Sequence, residues 1–192
     1  MSVWISGTGV LTSANIAAGA ITAEKMASGV LGYSQVSTTT ISGSAVTQVD
    51  FTGLDIATDG TYFIVCDITN ATASLANFSI VFNDSAGAYS QMQYSANSTI
   101  AGLRAATAAI GLVYASLDTT LRVHVAQDID GYVTADNFGS FVGSANSADI
   151  QSRTWITRTA GTKANVIKIS ILSDIANSIG IGSKFTLYKM AG

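Results

Sequence analysis

Residues Tyr62-Phe63-Ile64-Val65-Cys66-Asp67-Ile68-Thr69 form a nearly continuous apolar run, which fits a central β-strand. Upstream, Val49-Asp50-Phe51 alternates and stops at Thr52-Gly53. Downstream, Asn77-Phe78-Ser79-Ile80-Val81-Phe82 alternates and meets a turn at Asn83-Asp84-Ser85-Ala86-Gly87. Gln91 to Tyr94, Ile110 to Tyr114, Thr120 to Val125, Arg153 to Thr157, Val166 to Leu172 and Phe185 to Met190 continue the series. About nine strands at intervals of roughly 10 to 20 residues is the rhythm of an antiparallel sandwich or jelly roll. Lys168 and Ser170 alternate with Ile167, Ile169 and Ile171, which predicts a strand with one wet face. Ala101 to Ala109 reads equally as a helix or as a loop with a short turn, because Gly102 and Gly111 flank it. With no proline anywhere, strand edges need glycine, short length or oligomer contacts for protection.

The expected fold is mainly β: an antiparallel, jelly-roll-like β-sandwich over residues 45–192, preceded by a repeat-bearing extension over residues 1–44. A chain of 192 residues suits one domain plus such an extension. Apolar residues make up 48% and charged residues 11%, less than half the roughly 25% usual in soluble proteins. That balance argues against disorder, and the surface must rely on Ser, Thr, Asn and Gln or be covered by neighbours. No apolar run approaches the ~18 residues of a membrane span, so no membrane insertion is expected. The net charge of −3 gives no reason to expect nucleic acid as a partner. Met1-Ser2-Val3-Trp4 lacks the basic and apolar regions of a signal peptide. A single cysteine excludes an intrachain disulfide and a thiolate zinc cluster; Cys66 reads as a small buried hydrophobe, with an exposed chain-linking thiol as the lesser alternative.

The catalytic inventory is thin. His124, the only histidine, sits in Leu121-Arg122-Val123-His124-Val125, where period two puts it on a polar strand face beside Arg122. No serine or cysteine motif offers it a partner, and glycosidase chemistry needs two facing carboxylates. Asp128-Ile129-Asp130-Gly131 shares letters with a calcium loop, but no acidic residue follows at the required spacing. The chain therefore reads as a non-enzyme with no cofactor and no metal.

Gly9-Val10-Leu11-Thr12-Ser13-Ala14-Asn15-Ile16-Ala17-Ala18 aligns with Gly19-Ala20-Ile21-Thr22-Ala23-Glu24-Lys25-Met26-Ala27-Ser28, and a third copy begins at Gly29-Val30-Leu31. Leu11, Ile16, Ile21, Met26 and Leu31 recur every five positions, neither a coiled-coil heptad nor a strand alternation. That pattern suggests short helical turns punctuated by glycine. Such a segment buries too little alone and needs several chains, or another protein, to become stable. These five residues are the expected trimer or docking contacts.

The decade from Gly19 to Ala27 resembles the "G-x-I-T-x-x-K-h-A" repeats near the N-terminus of bacteriophage tail-fibre and related virion proteins. Val49 to Leu54, Tyr62 to Val65, Met92 to Ser95 and Gly182-Ser183-Lys184-Phe185-Thr186-Leu187-Tyr188 resemble a jelly-roll module of phage appendages that ends in "G-S-x-F-x-L-Y-G"; Lys189 stands here in place of the final glycine. The resemblance implies a virion structural protein on the particle surface, with other virion proteins (baseplate, tail or capsid) as partners. Two functions compete: a short homotrimeric tail fibre whose β domain binds host-surface glycan, and a capsid decoration or head-fibre protein that stabilises the shell. For the fibre, Tyr132-Val133-Thr134-Ala135-Asp136-Asn137-Phe138-Gly139-Ser140-Phe141 lacks strict alternation and reads as an aromatic loop. Tyr132, Asp136, Asn137 and Phe138 are its candidate ligand-binding residues. The competing reading makes Phe138 and Phe141 plugs at the end of the sandwich.

Overall fold

A computed structural model describes residues 32–72, 74–84, 89–91, 105–107, 110–115, 118–127, 131–142, 149–157 and 165–190. Leu11, Ile16, Ile21, Met26 and Leu31 lie outside the described residues, as do Asp128 and Asp130. Among the described residues, twelve strands and one short helix follow in chain order: β1 Tyr33–Thr40, β2 Gln48–Thr52, α1 Ile56–Asp59, β3 Thr61–Ile68, β4 Ala76–Phe82, β5 Tyr89–Gln91, β6 Ala105–Thr107, β7 Ile110–Ala115, β8 Thr119–Gln127, β9 Val133–Val142, β10 Asp149–Thr157, β11 Lys168–Ser173 and β12 Lys184–Met190. They build a six-stranded sheet in the order β1-β12-β3-β8-β9-β10, a four-stranded sheet in the order β2-β11-β4-β7, and the pair β5-β6. All pairings are antiparallel, so the chain is mainly β with two antiparallel sheets, consistent with a β-sandwich.

The apolar run chosen from sequence is β3, an interior strand of the larger sheet. Its inward side chains Tyr62, Ile64, Cys66 and Ile68 join Phe185 and Leu187 of β12 and Leu121, Val123 and Val125 of β8 in the core. Val49, Phe51, Phe78, Ile80, Ile169 and Ile171 of the smaller sheet complete it. Full burial of that many large side chains, at about 1.5–3 kcal/mol each, is the main stabilising term. Cys66 is fully buried in this core, which excludes the exposed, chain-linking thiol. Burial also pushes its pKa far up, keeping the thiol protonated.

The structure departs from the sequence expectations at several points along these sheets. Residues 33–40, placed by sequence in the extension over 1–44, form β1, an edge strand of the larger sheet paired with β12 from Tyr33↔Met190 to Thr40↔Lys184. Ala105–Thr107 is strand β6 rather than helix or loop. Ser170, expected on a wet face, is only 1% exposed. Strand β11 lies between β2 and β4, and Lys168 beside Ser170 reaches Asp50 at 3.2 Å and Asp84 at 2.8 Å, so its stem covers that face.

Antiparallel pairing gives the sandwich two distinct ends. At the near end β1 begins, β12 ends and β3 begins, and α1 closes the corner. There the buried Tyr62 hydroxyl donates to Asp59 Oδ2 (2.6 Å) and accepts from the Asp55 N–H (2.9 Å), while Lys189 Nζ reaches Asp59 Oδ1 (2.9 Å). At the far end the loops after β1, β3 and β11 lock together. Ile41 N–H donates to Ser183 O, Gly182 N–H to Ile41 O, and Gly180 N–H to Thr69 O.

Candidate functional site

Period-two geometry aims alternate residues of the interior strands away from the core, and the registers align them into a grid on the outer face of the larger sheet. Phe63 of β3 stands between Tyr188 of β12 and His124 of β8. Val65 stands between Thr186 and Arg122, and Asp67 between Lys184 and Thr120. The face is thus graded, aromatic towards the near end and charged towards the far end. Ring centroids of Tyr33 and Phe63 are 5.5 Å apart, and those of Phe63 and Tyr188 6.4 Å apart, both tilted.

The far end of this grid opens into a cleft of about 340 Å³ lined by Asp67, Ile68, Thr69, Asp118, Thr119, Thr120 and Gly182. Its walls are set by backbone chemistry. Gly182 adopts φ +90°, a conformation that favours glycine, and turns the chain into β12. The next residue, Ser183, is fully buried, and its Oγ accepts the Thr69 N–H at 3.0 Å, closing the end of β3. Thr120 Oγ1 donates to Asp67 Oδ1 (3.0 Å), and the Asn70 N–H donates to Asp118 Oδ1 (3.1 Å). Oδ2 of each carboxylate has no partner among the described residues. Two exposed carboxylates, with Thr69 and Thr120 beside them, therefore line a space of ligand size, a set of groups suited to hydroxyls and amines.

The stretch from Tyr132 to Phe141 is not a loop. Val133–Val142 is β9, flanked by β8 and β10 inside the larger sheet. Its alternation is broken because the register shifts on both sides: Gln151 pairs with Ser140 but Arg153 with Asn137, and Thr120 pairs with Phe141 but Val123 with Asn137. The extra residue of this bulge lies in β9 between Asn137 and Ser140, where Phe138 is found. Tyr132 precedes the strand at the near end, away from the cleft. Asp136 pairs with His124 in register and is half-buried; burial raises its carboxyl pKa, against the opposing pull of His124. A His–Asp pair is the orienting half of a nucleophilic triad, but the β3 residue beside His124 is Phe63, without a hydroxyl or thiol.

Among the described residues, no three His, Cys, Asp or Glu side chains are grouped to hold a metal ion. No described helix is long and apolar enough to cross a membrane. Comparison with protein-family models, curated proteins and solved structures finds no match to this chain. Asp118 and Thr119, the cleft residues sequence reading passed over, join the others only through topology: Asp67 and Thr120 bond across 53 positions of chain.

Proposed function

We propose that the protein is a bacteriophage virion structural protein: a short homotrimeric tail fibre that attaches to the particle through its N-terminal segment and displays a jelly-roll domain whose cleft takes host-surface glycan. The observation that carries this reading is polarity. The repeat-bearing segment joins β1 at the near end, while the cleft of Asp67 and Asp118 opens at the far end of the same sheet. Anchor and displayed site at opposite ends of one domain is the arrangement a fibre tip needs. Strand order supports the jelly-roll part. From β1 through β4 each strand lies in the opposite sheet from the one before, and so do β8, β11 and β12 in turn, as in Greek-key winding. Carboxylate oxygens and threonine hydroxyls suit a ligand dense in hydroxyl groups, and the charge-poor chain suits a partner that is itself uncharged.

The test is binding of purified full-length protein to a glycan array and to host cells, alongside Asp67→Asn and Asp118→Asn. Both residues are exposed, so the unfolding midpoints should stay put. Each substitution should weaken binding about tenfold, as expected for losing a hydrogen bond to a charged group. Undiminished binding by both variants would contradict the cleft assignment. Protein found on capsid faces, with no effect of either variant on adsorption, would favour shell decoration instead.

A further inference from the structure

Strand β1 is the edge of the six-stranded sheet, and its sequence Tyr33-Ser34-Gln35-Val36-Ser37-Thr38-Thr39-Thr40 contains no charged residue. An eight-residue edge strand leaves a row of backbone donors and acceptors unpaired, and proteins ordinarily guard such an edge with lysine, proline or a covering segment. Here the one guard within the strand is the bulge between Gln35 and Ser37. The same corner exposes large apolar side chains: Tyr33 is 46%, Val36 43% and Met190 49% exposed. Tyr33 and Met190 are register partners, and the Tyr33 ring continues inward to Phe63 and Tyr188. A continuous apolar patch thus runs over β1, β12 and β3 at the near end.

We infer that this patch is the contact surface between copies of this chain, an inference that rests on the fibre reading above. Two observations select a second copy as the occupant. The segment ahead of Gly32 joins the domain at this corner, so chains gathered through that segment bring their β1 corners together. Each copy also carries a net charge of −3, and like-charged copies meet with least repulsion through an uncharged surface such as β1. Burial of aromatic rings with depletion of charge is what the core of a protein interface displays.

The experiment uses full-length protein. Cys66 is fully buried, so a cysteine introduced at Val36 supplies the reactive thiol. Val36→Cys treated with a bismaleimide should give covalent dimers, the largest product that one reactive thiol per chain allows, whereas Ile167→Cys, more exposed (55% against 43%) but beside β11 of the other sheet, should stay uncrosslinked. Sedimentation equilibrium of Tyr33→Lys should show a half-dissociation concentration raised about tenfold or more over the parent, as for loss of an interface anchor. An assembled parent whose Val36→Cys form does not crosslink and whose Tyr33→Lys form dissociates no more readily would place the contact elsewhere and overturn the inference, leaving the trimeric reading intact. A parent that sediments as a monomer at all concentrations would overturn the trimeric reading itself, and the inference with it.

Discussion

Replacing Tyr62 by Phe isolates the polar clamp at the near end. The ring stays, so apolar burial is unchanged and the loss is confined to one oxygen. That oxygen donates to the Asp59 carboxylate at 2.6 Å and accepts the Asp55 N–H at 2.9 Å, from a side chain with no exposure at all. A hydrogen bond to a charged group contributes about 1.5–3 kcal/mol, and a stranded backbone N–H costs about 1 kcal/mol more where water is kept out. Asp59 keeps Lys189 at 2.9 Å and some contact with water, which offsets part of the loss. The expected destabilisation is about 2–3 kcal/mol at neutral pH. It should also depend on pH. The Tyr62 bond is the chief reason the Asp59 carboxyl is held below its ordinary value of 3.8, with Lys189 adding to it. A depressed carboxyl stabilises the fold in full above the unfolded pKa and loses that contribution as pH falls through the folded value. The gap between parent and variant should therefore be constant from about pH 5 to 7 and shrink below about pH 3.8. Urea unfolding at fixed protein concentration, at pH 7 and near pH 3, measures both quantities. A gap under about 0.5 kcal/mol at pH 7, or one that widens on acidification, would refute the clamp.

Two further outcomes follow from the far end and the core. At Gly180 an added Cβ would lie 2.8 Å from the Thr69 carbonyl oxygen, a backbone atom that cannot step aside, so Gly180→Ala should cost about 1–3 kcal/mol in thermal or urea unfolding. Cys66, buried and held protonated, should not react with a thiol reagent in the native protein and should react at the rate of unfolding when denaturant is added.

What could be read from sequence, and what could not, follows from how each segment is buried. Strand β3 was legible because it is paired on both sides, with one face entirely in the core, so four of its eight residues had to be apolar and inward. The letters Gly182-Ser183 ahead of β12 were noticed as part of a resemblance, and their physical reason is now visible. One supplies a left-handed turn and the other a fully buried hydroxyl that ends β3. Strand β1 was missed because an edge strand with an exposed outer face needs no apolar alternation; its residues are exposed or half-buried throughout. Strand β9 was missed because its bulge shifts the register near Phe138 and so breaks the period-two pattern on which the reading relied. Asp136 was singled out without its neighbour His124, since strand pairing and not sequence spacing brings the two together. Asp118 carried no signal at all. It is an ordinary turn residue until the β3 and β8 ends are placed side by side.

The central claim is one of direction: near end towards the particle, cleft outward. Immunogold electron microscopy tests it most directly, using an antibody to the far-end loop at residues 41–47 on bacteriophage particles assembled in the presence of this chain. Gold at the outer tips of tail appendages is the expected result. Gold at the base of those appendages, or particles that carry no gold, would contradict the account.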